Sequence, residues 1–146
     1  MSTTLYEIIE GKLATTNMPE NGPLDPYEGW GPNDKTTHDR IINGELWIIV
    51  DARIISDQGE EHHNRYPLLH NYLVANAYRI LRNGNRCLII CDTGASRSNS
   101  IALDILVGYF GINFYEAWEL IEERVPICQI SQPHIAFLKR KFGVKP

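Results

Sequence analysis

Cysteine is scarce in this chain, with three in 146 residues. An odd, small number gives no disulfide framework, which excludes a stapled secreted mini-domain and leaves each thiol open to other chemistry. Long hydrophobic runs are missing too. No apolar stretch approaches the length of a membrane span, and Met1-Ser2-Thr3-Thr4-Leu5 does not read as a signal peptide, so a reducing cytoplasm is the expected location. Charge of one sign is not in large excess: 14 Lys and Arg against 18 Asp and Glu leave a net charge of −4. A nucleic-acid groove therefore has no electrostatic footprint in the overall balance. Repeats and low-complexity segments are absent. Residues 1–146 are read as one domain, a length that buries around two thirds of the unfolded surface.

What the chain does contain is Cys91-Asp92-Thr93-Gly94-Ala95-Ser96-Arg97-Ser98. Before it, Arg86-Cys87-Leu88-Ile89-Ile90 is an apolar run of strand length; after it, Ser98 to Phe110 is apolar enough for a buried helix. The loop thus joins a strand to a helix N-terminus. Backbone N–H groups and the positive end of the helix dipole make an anion cradle there, and Arg97 adds a two-pronged contact to phosphate oxygens. A thiol at such a place ionises readily, since cysteine pKa values fall from about 8.5 to roughly 3.5–7.5 beside cations and helix N-termini. Neither other cysteine has an arginine six positions on: Thr93 follows Cys87 and His134 follows Cys128. Cys87 and Cys91 on one strand would lie about 13 Å apart, too far for a disulfide without local unfolding.

The remaining elements alternate. Leu5 to Thr16 reads as an early strand, and residues 17–39, with Pro19, Pro23, Pro26 and Pro32 among glycines, as an irregular loop pinned by Tyr27 and Trp30. Leu46 to Val50 suits a buried parallel strand. Leu69, Leu73, Ala77, Ile80 and Leu81 recur at helical spacing up to Gly84 and form the crossover helix. The helix from Ser98, apolar almost all round, belongs in the core and stops by Gly111. Asn113 with Glu116 caps a further helix, and Pro133 opens the last one. Lys139-Arg140-Lys141 suits the negative end of that helix. This order predicts a single α/β domain with a mainly parallel central sheet flanked by helices, its phosphate-binding loop lying between a central strand and a buried helix. His62-His63 beside Glu60 and Glu61 reads as a solvated loop, and the chemistry calls for no metal or cofactor.

The string Cys-x-x-Gly-x-Ser-Arg-Ser resembles the signature loop of the cysteine-dependent protein tyrosine phosphatases, and its Ser-Arg-Ser ending looks most like their small dual-specificity branch. The segment AWELIEERVPICQISQPHIAFLKRKF, Ala117 to Phe142, is similar to that family's tail. Three features depart from it: Ile90 stands where the family has histidine, no deep-pocket segment is recognisable, and the first 45 residues fit poorly. The resemblance implies that Cys91 is the nucleophile and that Asp92, Thr93, Gly94, Ala95, Ser96 and Arg97 hold the phosphate. It further implies that Ser98 assists departure of the thiolate, where a helix N-cap is its other reading. A general acid should lie some thirty residues ahead of the cysteine. Asp57, 34 residues ahead in a polar turn with Gly59, is favoured over Asp51 at the end of the Leu46 to Val50 run, which backbone or Arg53 would hold. The implied activity is hydrolysis of phosphotyrosine, and of phosphoserine or phosphothreonine, in protein substrates through a cysteinyl-phosphate. Alternatives are a catalytically weak or dead phosphate-binding module and an RNA 5′-triphosphatase-like member of the same fold. A sulfurtransferase or arsenate reductase fits the tail less well. Neither nucleic acid nor membrane is expected as a partner, and the oligomeric state is open.

Overall fold

The computed structural model describes residues 4–16, 37–55, 65–91 and 95–145. Five strands, β1 (Leu5–Ile9), β2 (Leu13–Thr16), β3 (Thr37–Ile42), β4 (Glu45–Asp51) and β5 (Cys87–Ile90), form one sheet in the order β1-β2-β5-β4-β3. β5 lies in the middle and runs parallel to both neighbours, pairing Cys87 with Leu13 on one side and with Ile48 on the other. The outer strands are antiparallel to β2 and β4, so a parallel centre is bounded by two hairpins.

Both hairpins refine the sequence reading. Leu5 to Thr16 is two strands rather than one, because the chain reverses at Gly11, whose amide donates to Glu7 Oε1 (2.8 Å). β3 begins at Thr37, within the stretch read as loop; the rest of that stretch, with Tyr27 and Trp30, lies outside the described residues. Asn43 and Gly44, both at positive φ (50° and 83°), make the two-residue turn from β3 to β4, the backbone sign that a tight hairpin requires.

Alternation along β5 divides the interior. Cys87 and Ile89 point into the main core with the helices, whereas Leu88 and Ile90 join Trp47 and Ile49 in a second cluster on the opposite face. Such two-sided burial explains why β5 has no polar residue.

Four helices follow: α1 (Tyr66–Arg82), α2 (Arg97–Gly108), α3 (Phe114–Arg124) and α4 (Gln132–Lys141). α1 is the expected crossover between β4 and β5, ended by Gly84 at φ +78°. α2 is buried from Ser98 to Leu106, as its apolar circumference predicts. α3 is capped by Asn113, whose side chain accepts from the amides of Tyr115 and Glu116, and a proline opens α4. Among the described residues, no helix is long and apolar enough to cross a membrane.

One polar hub ties these helices together. Asp104 of α2, fully buried, accepts from His70 Nε2 of α1 (2.7 Å) and from Lys141 Nζ of α4 (2.6 Å). Lys141 also donates to Asn71 Oδ1. Burial lowers the His70 pKa more than the Asp104 carboxylate raises it, with Lys141 opposing protonation as well. The imidazole is therefore neutral and donates its Nε2 proton.

Candidate active site

β5 ends at Ile90 and delivers Cys91 to the carboxyl edge of the sheet, where open α/β folds place their ligands. The Cys91 side chain is 1% exposed, and its Sγ–H donates to Ser98 Oγ at 3.3 Å. Cys87, four residues earlier, is buried in the same core cluster. Burial in the apolar core pushes its pKa up to about 12, and burial with the Glu122 charge pushes Cys128 to about 11. All three are free thiols.

Ser98 is the second residue of α2 and fully buried. It does not cap the helix, contrary to one of its two readings: Ser96 occupies the N-cap position. Nor does the Ser96 side chain cap. Its hydroxyl is instead bound to His134 Nδ1 (2.8 Å) and accepts from the Ser131 amide (2.9 Å), while the Gln129 amide donates to the Ala95 carbonyl (2.9 Å). Inside the turn, Asn99 Nδ2 donates to Ala95 O and Ser100 Oγ to Arg97 O. Ala95 and Ser96 are thus stitched to the helix behind them and to the segment leading into α4. Asp92, Thr93 and Gly94 lie outside the described residues.

Arg97, at the first position of α2, reaches the opposite wall, where its Nη1 donates to the carbonyls of Arg53 (3.3 Å) and Ile55 (3.4 Å). That wall is the single 3₁₀ turn Ala52–Ile54 at the end of β4. Asp51 and Arg53 hold it in place. Arg53 Nη2 donates to Asp51 Oδ2 at 2.6 Å, Nε donates to both carboxylate oxygens, and the Arg53 amide donates to Oδ1. Both side chains are about 5% exposed. Asp51 is therefore a strand-end carboxylate held by backbone and by Arg53. Asp57, together with His62 and His63, lies outside the described residues.

Cys91 Sγ meets Ser98 Oγ, Ser96 and Arg97 precede Ser98 at the start of α2, and Asp51 stands behind the wall that Arg97 touches. Sequence reasoning missed His134 and Ser131. No local signal marks them, since 35 or more residues separate them from Ser96 and only the packing of α4 makes them neighbours. A hollow of about 440 Å³ beside α4, lined by Ile135, Ala136, Val144 and the stems of Lys139 and Arg140, contains none of the loop side chains.

No family model matches the chain, and no curated protein matches it. Solved structures do. The structure described as Tk-PTP in the active form superposes with a TM-score of 0.58 at 15% identity, covering 93% of this chain and 94% of that one. Human DUSP28 gives 0.47 at 16% identity over 73% of this chain and 92% of that chain. A leucine-rich-repeat and phosphatase-domain protein of Entamoeba histolytica gives 0.46 at 23% identity over 60% of this chain, which spans 58% of that one. The superposition across nearly the whole length with Tk-PTP carries the argument: this chain has the protein tyrosine phosphatase fold.

Proposed function

We propose that the chain hydrolyses phosphate monoesters on protein side chains, phosphotyrosine first, through a cysteinyl-phosphate at Cys91. The observation that supports this reading is the contact of Cys91 Sγ with Ser98 Oγ (3.3 Å) at the start of α2, the helix whose first residue is Arg97. Nucleophile, hydroxyl and guanidinium then share one anion site at a helix N-terminus.

In the first step the Cys91 thiolate attacks phosphorus in line, the S–P bond forms and the P–O bond to the leaving group breaks. Arg97 leaves its carbonyl contacts and takes two equatorial oxygens in its fork. The leaving oxygen needs a proton. Asp57 supplies it in this reading, because Asp51 is committed to Arg53 through both carboxylate oxygens. In the second step water attacks phosphorus, orthophosphate departs and sulfur leaves as thiolate, stabilised by the Ser98 hydroxyl 3.3 Å away. Loop positions 92, 93 and 95 carry Asp, Thr and Ala, whereas a cleft for phosphoinositides or RNA ends would carry Lys or Arg. A phosphorylated protein is the matching partner, and a reducing cytoplasm keeps the thiol free.

Cys91→Ser should abolish hydrolysis of an aryl phosphate and retain phosphate binding, while Arg97→Ala should lose both. Full turnover by the serine variant would end the cysteine mechanism. Faster hydrolysis of phosphoinositides than of phosphotyrosyl peptides would overturn the substrate class. A non-catalytic phosphate-binding module is the second reading. It is favoured by Ile90, whose fully buried side chain sits in the hydrophobic cluster where the family has histidine. Phosphate binding without any turnover would select it.

A further inference from the structure

We infer that His134 is a positioning residue of the phosphate loop: it draws the Ser96 hydroxyl away from the start of α2, so that this hydroxyl does not compete with a bound anion for the first amides of the helix. The inference rests on the phosphate-site reading above and deepens it.

Serine at an N-cap ordinarily accepts from the second or third helical amide, here those of Ser98 and Asn99. Ser96 occupies that position without making the bond. Its oxygen accepts from the Ser131 amide at 2.9 Å and lies 2.8 Å from His134 Nδ1, two contacts that turn it toward α4. His134 is fully buried and has little freedom to let go. Its ring stacks on Tyr66 (centroids 5.5 Å apart, planes 9° apart), and Tyr66 meets Phe137 edge-on at 5.1 Å. A helix N-terminus attracts anions through the amides that a capping hydroxyl would occupy. A serine held off its own helix suits a loop whose ligand is a phosphate, and the histidine that holds it comes from the far end of the chain.

The test uses the full chain and reads Cys91 alkylation by iodoacetamide, with mass mapping to separate it from Cys87 and Cys128. Protection by inorganic phosphate gives an apparent Kd, and an aryl phosphate gives kcat and KM. His134→Leu should weaken phosphate binding about fivefold to tenfold, the worth of a released cap, and raise KM more than it lowers kcat. In a Ser96→Ala background the same substitution should have no effect, because no hydroxyl remains to compete. His134→Asn, whose amide oxygen replaces Nδ1, should keep the affinity. His134→Gln, whose amide reaches one bond too far, should lose it, and this pair carries the test if the leucine variant does not fold. Equal losses with and without Ser96, or equal losses in Asn and Gln, would overturn the inference. Wild-type protection without turnover would defeat the enzymatic reading alone, whereas failure of phosphate to protect wild-type Cys91 would defeat both.

Discussion

The two ends of α2 use buried polarity in opposite ways. At its start, Arg97 donates to two carbonyls at 3.3 and 3.4 Å, and the Cys91 thiol meets the Ser98 hydroxyl at 3.3 Å. Seven residues on, Asp104 receives an imidazole N–H and an ammonium at 2.7 and 2.6 Å, closed off by three helices. In the function proposed above a ligand completes the first arrangement, whereas the second is completed by the protein.

Substitution should separate the two ends. The largest expected effect tests the proposed general acid: Asp57→Asn should slow turnover by about 10²–10⁴-fold with poor leaving groups and far less with good ones. If the loss appears in Asp51→Asn and spares Asp57→Asn across leaving groups, the acid is misassigned. Asp104→Ala comes next. It strands His70 and Lys141 and should cost about 3–5 kcal/mol in urea unfolding, while kcat per folded molecule stays within a few-fold. A collapse of kcat at unchanged stability would mean that the two ends are not separate.

Smaller effects sharpen the contrast. His70 has a folded-state pKa below its free value of about 6.5, so between those two values the unfolded chain binds the extra proton. Stability should be full above pH 6.5 and fall as the pH drops through that window, with a slope of at most about 1.4 kcal/mol per unit. His70→Gln should flatten that slope, measured by urea midpoints across pH 4.5–7.5; an unchanged slope would assign it elsewhere. Smallest is Lys141→Met, expected to cost about 1 kcal/mol because its side chain is 28% exposed and Asp104 keeps His70. A thermal scan showing no loss would make Lys141 a bystander.

How legible each part was depended on the range of the forces involved. β4, β5, α1 and α2 could be read from apolar periodicity, because burial on one face or all faces leaves a pattern within a dozen residues. Asn113 and Pro133 marked the starts of α3 and α4 for equally local reasons. Cys91, Arg97 and Ser98 were legible because one loop carries them. Ser96 was read only as a hydrogen bonder that shapes the loop; its partners His134 and Ser131 come from a helix packed against the loop by tertiary contacts. The Ser98 cap was misplaced by two residues because the helix starts one residue earlier, at Arg97, leaving Ser96 at the cap. The β1–β2 hairpin was hidden by a short turn without strong turn residues beyond Gly11.

The central place of β5 has a consequence for the order of assembly. Leu13 pairs with Cys87, 74 positions further along the sequence, and Ile48 pairs with the same residue from the other side. Before β5 arrives, a growing chain holds two separate hairpins with unpaired inner edges, the kind of surface that sticks to other chains. Closure waits on this non-local pairing, which makes it the slow event. The strand that closes the sheet is also the one that leads to Cys91, so this thiol is set in place by the same step that removes the open edges. A half-made molecule lacks the contact between Cys91 and Ser98 on which the proposed phosphate site is built.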